Sequence, residues 1–362
     1  MKKLLYLVLC LITSGYAFTQ TNWKQGILVD EFIAAKMPFP ESHAATIAEV
    51  PGGLVVSWFG GTKERNPDVE IWVSRKMGGT QWSAPVSVAN GIINDSLRYA
   101  CWNPVLYKVP NGDLLLFYKV GPSPSTWKGW MKVSKDDGLT WSSAIALPSD
   151  CLGPIKNKPV LLSNGTLISP VSTEGSGWNL HFEFSHDQGK TWSRGKDLKM
   201  AEGIRAIQPT IFIHKNGHLQ LLARTQQRFF AEAWSSDNGE TWSEVKLSSM
   251  PNNNSGADGV TLKNGQHALV YNHVIVPDSA KGGKGARTPL NIAVSKNGKK
   301  WKAVNILEDS PISQYSYPSV IQSSDGMIHV VYTWRRESIK YVKIDPSVWQ
   351  PISFEGLEWP RK

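Results

Sequence analysis

Cysteine is scarce in this 362-residue chain: three in all, with Cys10 inside the first twenty residues. The other two, Cys101 and Cys151, stand 50 positions apart. That spacing permits a disulfide without implying one, and it excludes a disulfide-dense scaffold. Long apolar runs are missing after residue 20, so no later segment is expected to span a bilayer. Long amphipathic windows with helical periodicity are missing as well, which argues against a helical fold. His, Cys and acidic residues never gather at metal-ligand spacing, so neither a metal nor another cofactor is expected. The net charge is +9, yet no long Lys/Arg run accompanies it. Scattered positive charge is a poor footprint for nucleic acid and a better one for an acidic small ligand or a polyanionic glycan.

The first twenty residues, MKKLLYLVLCLITSGYAFTQ, differ from the rest. Lys2 and Lys3 precede an apolar run from Leu4 to Ile12, and small residues end at Ala17. This reads as a secretory signal over 1–17, leaving one domain over 18–362 that is secreted or periplasmic. The run is too short to cross a membrane. Cys10 lacks the small residues that a lipid-attachment signal carries just before its cysteine. Apolar residues make up 41% of the chain, enough for a real core, and the length suits two ordinary domains or one large all-β domain. A monomer is expected.

What is present is a repeat. SKDDGLTW (134–141), SHDQGKTW (185–192) and SSDNGETW (235–242) share the pattern S-x-D-x-G-x-T-W. Trp141, Trp192 and Trp242 are spaced 51 and 50 apart, and degenerate copies ending at Trp82 and Trp301 each lie 59 residues further out. Interleaved with them are six glycine turns, each before a strand-like run: Gly53, Gly112, Gly165, Gly217, Gly265 and Gly326. Glycine there supplies a hairpin's positive φ. A period of 50–60 residues with several short strands per unit predicts a propeller, and six turns predict six blades. The Trp-Asp dipeptide of shorter propeller repeats is missing, and the Gly-Gly doublets follow no period. Residues before Gly53 must supply the outer or closing strand of the ring.

The octapeptide itself looks catalytic, with hydroxyls and acids close together. Its regular recurrence argues otherwise. Ser and Asp side chains accept backbone N–H bonds in a tight turn, glycine takes the left-handed position, and the tryptophan buries a large ring. Asp136, Asp187 and Asp237 therefore read as turn formers. A Ca²⁺ loop is a weaker reading, because further acidic ligands and a terminal Glu are absent.

This octapeptide resembles the Asp box, and nearly all of the mature chain resembles the sialidase-type (BNR repeat) β-propeller family. The resemblance implies an all-β, six-bladed β-propeller. It also implies a site in which three arginines hold an acidic sugar, an Asp serves as acid/base, and a Tyr–Glu pair supplies the nucleophile. Arg224, in KNGHLQLLAR, matches the second arginine, and Arg287, in ARTPLNIAVS, matches the third. Tyr317 lies nine residues before Gly326, as the nucleophile should, with Tyr315 as a near rival. Asp68, in GGTKERNPDVEIW, matches the acid, with Glu64 as alternative. The pattern departs at two positions. His43 stands where the first arginine is expected, and Gln208 stands where the Glu partner of the tyrosine is expected, sixteen residues before Arg224. A glutamine cannot take a proton from tyrosine.

Two arginines can clamp a carboxylate bidentately, a geometry lysine cannot reproduce. Arg335 and Arg336 in YTWRR and Arg98 in LRYACWNP are further candidates for that clamp. His43 could shuttle a proton and Gln208 could donate to substrate. The runs WNP (102–104), GPIKNKP (153–159), EGSGWN (174–179) and PNNNSG (251–256) read as exposed, where a blade-to-blade or inner loop should lie. Trp102, Trp127 and Trp178 could stack there on sugar rings, and Glu174 could replace the missing carboxylate. Three functions stay open: a sialidase-like exo-acting glycoside hydrolase on an acidic sugar, a lyase or glycosidase on uronate-containing polysaccharide, and a non-catalytic glycan-binding propeller.

Overall fold

A computed structural model describes residues 22–360 apart from positions 80, 111, 176 and 355. The leader expected over 1–17 lies outside the described residues. β-Branched and aromatic runs form strands, and the strands form six antiparallel sheets arranged as blades, with a separate two-stranded ribbon of Ile92–Asn94 and Leu97–Arg98. Blade I holds Glu41–Val50, Gly53–Gly61, Glu70–Met77 and Val86–Ala89. Blade II holds Cys101–Lys108, Leu114–Val120, Lys128–Ser134 and Ile145–Ala146. Blade III holds Val160–Leu161, Leu167–Thr173, Asn179–Ser185 and Ser193–Arg194. Blade IV holds Ala206–Ile213, Leu219–Thr225, Phe229–Ser235 and Lys246–Pro251. Blade V holds Asp258–Thr261, His267–Tyr271, Leu290–Ser295, Trp301–Glu308 and Ile352–Ser353. Blade VI holds Tyr315–Gln322, Ile328–Trp334 and Ser338–Ile344, and the N-terminal strand Ile27–Phe32 completes it. That strand pairs Asp30 with Val342 and closes the ring. It is the strand the sequence required before Gly53.

The middle strands are buried on both faces because each blade is sandwiched between two others. Leu114–Val120 is buried throughout, which explains an apolar run without alternation. Val55, Ile71, Leu116 and Tyr118 belong to one core cluster between blades I and II. Ile168, Phe182, Leu219 and Leu221 do the same between blades III and IV.

The two sequence signals map to two positions in each blade. The glycine turns join first to second strands. Gly165, Gly217, Gly265 and Gly326 take left-handed φ of 81–86°. In the first turn Gly52 takes it instead, with φ 79°. Gly53 is required for another reason: a Cβ there would stand 2.2 Å from the Lys76 carbonyl oxygen. Gly112 also lies outside the left-handed region, and a Cβ on it would press on the Val109 side chain at 2.9 Å.

The Asp boxes join third to fourth strands. In the box of blade II, Ser134 Oγ accepts from Gly138 N–H and donates to Asp136, both at 2.8 Å. Asp136 in turn accepts from the Thr140 N–H at 2.8 Å and from its hydroxyl at 2.5 Å. Blades III and IV repeat this pattern around Asp187 and Asp237. The threonine hydrogen bonds hold the Asp136 and Asp237 carboxyls down at about 2. Trp192 and Trp301 are buried and donate Nε1–H to the box glycine carbonyl at 3.0 Å.

The innermost strands share an irregularity. In blades I, II, IV and VI the register slips near the strand start, between His43 and Thr46, Trp102 and Val105, Ile207 and Thr210, and Ser316 and Ser319. Each slip contains one residue of positive φ: Ala44 (54°), Asn103 (31°), Gln208 (57°) and Tyr317 (52°). Proline follows three of them, where its missing N–H breaks no ladder bond. Such bulges re-aim side chains at the rims of closed β-structures.

Cys101 and Cys151 are free, buried thiols in separate core clusters. Burial pushes the Cys151 thiol up to about 12. Among the described residues no helix is long and apolar enough to cross a membrane, and no group of three or more His, Cys, Asp or Glu could hold a metal ion.

Candidate functional site

Two of the bulges meet through their side chains. Gln208 Nε2 donates to the Tyr317 hydroxyl at 3.3 Å, and Arg224 Nη1 donates to the same oxygen at 2.6 Å. Arg224 Nη1 also reaches Gln208 Oε1 at 3.4 Å, and its Nε donates to Asn254 Oδ1 at 2.6 Å. The Arg287 guanidinium carbon lies 5.4 Å from the Tyr317 ring centre, the Arg224 carbon 5.9 Å, and Lys156 Nζ 5.9 Å. Positive charge thus surrounds the phenol ring. The His43 ring packs on Tyr317 at 4.3 Å between centroids. Its Nδ1 lies 2.9 Å from Thr333 Oγ1, which accepts from Ala44 N–H at 3.1 Å. Burial, and then Arg336, Arg287, Arg224 and Lys156, hold His43 well below its ordinary value, so it is neutral.

The structure therefore brings together His43, Gln208, Arg224, Arg287 and Tyr317. It does not bring Arg335 to them. Trp334 and Ser338 are paired across a tight turn in which Arg335 and Arg336 take φ of 52° and 64°, and the two side chains diverge. Arg335 lies on the Trp334 ring at 4.3 Å and bonds the Tyr315 hydroxyl at 3.4 Å. Arg336 is the one that acts on His43, and it donates to Glu64 at 2.7 Å. Arg98 is paired with Glu70 at 2.6 Å and donates to the Asp68 carbonyl at 3.5 Å. Asp68 closes its own loop: its two carboxylate oxygens take the Thr62 N–H and hydroxyl, each at 2.8 Å. Glu64, two residues beyond Thr62, is bonded to Arg336, which also has Glu41 at 3.8 Å. Tyr315 is buried in the core of blades V and VI.

Three runs expected to be exposed loops are buried instead: 102–104, 153–159 apart from half-buried Lys158, and 251–256. Their polar side chains replace ladder hydrogen bonds where the inner strands are irregular. Lys156 Nζ donates to the carbonyls of Pro318 at 2.5 Å and Ala257 at 3.1 Å, and to Asn157 Oδ1 at 2.9 Å. Asn157 holds the Gln208 and Pro209 carbonyls at 3.2 and 3.0 Å. Lys158 reaches across to Asp258 at 2.9 Å. Burial pushes Lys156 down to about 7. Trp102 and Trp127 are core rings 5.8 Å apart, whereas Trp178 lies under the Arg224 guanidinium at 5.3 Å. Glu174 is half-buried; burial raises its carboxyl against the pull of Arg224 and Arg65. Lys156, Asn254 and Gln314, which accepts from Arg287 at 2.9 Å, carry no signal in the sequence that sets them apart.

The Asp boxes, the closed ring and the arginine cluster define a sialidase-type β-propeller with the fold of a glycoside hydrolase. The chain belongs to the BNR repeat-like domain family, whose pattern matches residues 52–330. It is similar to an anhydrosialidase of Macrobdella decora, 25% identical over 236 residues, covering 58% of this chain and 30% of that protein. It is also similar to a sialidase of Paraclostridium sordellii, 28% identical over 244 residues, covering 58% of this chain and 57% of that one. The chain thus spans well under two thirds of either relative. Among solved structures, the NanB sialidase of Streptococcus pneumoniae superposes with a TM-score of 0.68 at 14% identity, covering 90% of this chain and 71% of that one. That likeness is one of fold.

Proposed function

We propose that the protein is an exo-acting glycoside hydrolase of sialidase-like type, acting on an acidic sugar. One observation carries this. Arg224 and Arg287 hydrogen-bond only neutral partners among the described residues: Asn254, Gln208 and Tyr317 for the first, Gln314 for the second. Half-buried cations without a bonded carboxylate leave a place for an anionic ligand. Arg336 supplies the third guanidinium that the position of His43 lacks. Tyr317 is then the nucleophile, attacking the anomeric carbon, with Glu64 or Asp68 as the acid that protonates the leaving oxygen. Gln208 cannot accept the phenolic proton, and His43, packed on the ring at 4.3 Å, is the neighbouring group that can carry one, against the cost of charging a buried imidazole among cations.

A second reading is favoured by the Gln208–Tyr317 pair. An amide beside a phenol and a neutral imidazole suits removal of a proton next to a uronate carboxylate, which is lyase chemistry. Incubating the purified protein with sialosides and with uronate-containing oligosaccharides separates the readings. New reducing ends without ultraviolet absorbance support the hydrolase. Absorbance of an unsaturated uronate product refutes it. No turnover, with carboxylate binding retained, leaves a glycan-binding propeller.

A further inference from the structure

A cavity of about 820 Å³ opens between blades I and II. Its walls come from the end of the second strand and the start of the third strand of blade II, Leu114–Val120 and Lys128–Ser134. Arg224 occupies the corresponding strand end in blade IV, Leu219–Thr225, so the cavity and the arginines share one end of the propeller. Segments bordering the two come into contact. The wall segment 121–128 runs beside Gly175, whose Cβ position is 3.4 Å from the Ser125 carbonyl oxygen, and Gly175 adjoins Glu174.

The lining has a definite chemistry. Tyr118 is 2% exposed, yet its hydroxyl makes no hydrogen bond among the described residues. Trp130 is its cross-strand partner and is half-buried. Tyr99 adds a third ring. Lys132 is engaged by the Val88 carbonyl at 2.6 Å, Lys128 is exposed at the rim, and no acidic side chain lines the space. The volume falls within the range of small-ligand sites.

We propose that this cleft is a subsite for neutral pyranose units of the glycan whose acidic end the arginines hold; the class of ligand rests on that reading. Indole and phenol faces match the C–H face of a pyranose, and the unclaimed Tyr118 hydroxyl matches a sugar hydroxyl. A wholly apolar ligand would bury that hydroxyl unpaired. An acidic sugar would find one exposed lysine, which is worth little in water.

The test is calorimetry and saturation-transfer NMR on the full chain, with cellobiose and lactose as neutral probes and glucuronate and N-acetylneuraminate as acidic ones. Trp130→Ala is expected to weaken the neutral probes at least about tenfold. Tyr118→Phe is expected to weaken them about threefold, with no change in melting, because its hydroxyl has no partner to lose. Arg224→Met is expected to weaken the acidic probes alone. Failure of both disaccharides to bind, or binding untouched in both cleft variants, overturns the subsite whatever the acidic probes do. Failure of the acidic probes with cleft-dependent disaccharide binding overturns the acidic-sugar reading instead.

Discussion

Replacing Arg224 by Met separates a ligand-binding arginine from a structural one. The guanidinium carbons of Arg224 and Arg287 lie 5.9 and 5.4 Å from the same ring centre, so they are at most about 11 Å apart. Two unit charges at that distance repel by about 1.5 kcal/mol at an effective dielectric of about 20. Met keeps the stem but loses the hydrogen bonds to Asn254 and Tyr317, which from a charged donor contribute about 1.5 kcal/mol each. Relief offsets about half of that loss, so the ligand-free variant should be destabilised by only about 1.5 kcal/mol. Carboxylate binding should behave differently. A bidentate, charge-assisted pair is worth about 3 kcal/mol, so affinity for an acidic monosaccharide should fall about 100-fold. Urea unfolding and calorimetry at two salt concentrations measure both quantities. A destabilisation above about 3 kcal/mol with affinity unchanged would mean that Arg224 is structural, and the anion-site argument would fall.

Gln208→Glu places a carboxylate near the Tyr317 hydroxyl and under Arg224. If Gln208 is what limits sialidase chemistry, release of sialic acid from a sialoside should rise at least tenfold in the variant, and an unchanged or lower rate counts against Tyr317 as nucleophile. Glu64→Gln should lower turnover at constant melting temperature, whereas Asp68→Asn should mainly loosen the loop that Thr62 closes; the reverse outcome, read from activity and limited proteolysis, would restore Asp68 as the acid. Trp192→Ala should cost about 3–5 kcal/mol in urea unfolding and leave ligand affinity unchanged, because the ring is blade packing. Burial lowers His43, and it lowers His267 and His329 to about 4. Since the folded values lie below the unfolded value near 6.5, the unfolded chain takes up protons first, and the stability present above about pH 6.5 is lost as the pH falls toward 4. The Asp-box carboxyls near 2 lose their contribution only below about pH 5, so a urea midpoint flat between about pH 6.5 and 5 would refute the buried-neutral assignment.

The architecture was legible because its signals are local. A glycine turn and an Asp box need only their own eight or nine residues, and their recurrence counts the blades. The resemblance to the sialidase-type pattern, counted from those turns, picked out five side chains that converge in space. It failed where a choice hangs on one turn. Nothing in YTWRR says which arginine crosses to Glu64, because the answer lies in the left-handed φ of both residues. It failed again for GPIKNKP and PNNNSG. Polar composition usually marks an exposed loop, but here Lys156, Asn157 and Asn252 are consumed inside by carbonyls and N–H groups that the inner strands leave unpaired.

The bulges also explain how the site can change residues without changing place. A left-handed φ at a non-glycine residue is costly by about 1 kcal/mol or more, and surrounding structure must enforce it. Here the enforcement is on the backbone: Lys156 on the Pro318 carbonyl, Asn157 on the Gln208 and Pro209 carbonyls, Thr333 on the Ala44 N–H. None of these contacts reads the Gln208 or Tyr317 side chain. Gln208 and Tyr317 adopt nearly the same φ as Ala44, although the three side chains share no chemistry. A glutamate at 208 would meet the same backbone and the same Arg224. The scaffold therefore holds a position rather than a reaction. Gln208 can be exchanged with little effect on folding, and the loss or gain from the exchange should fall on chemistry.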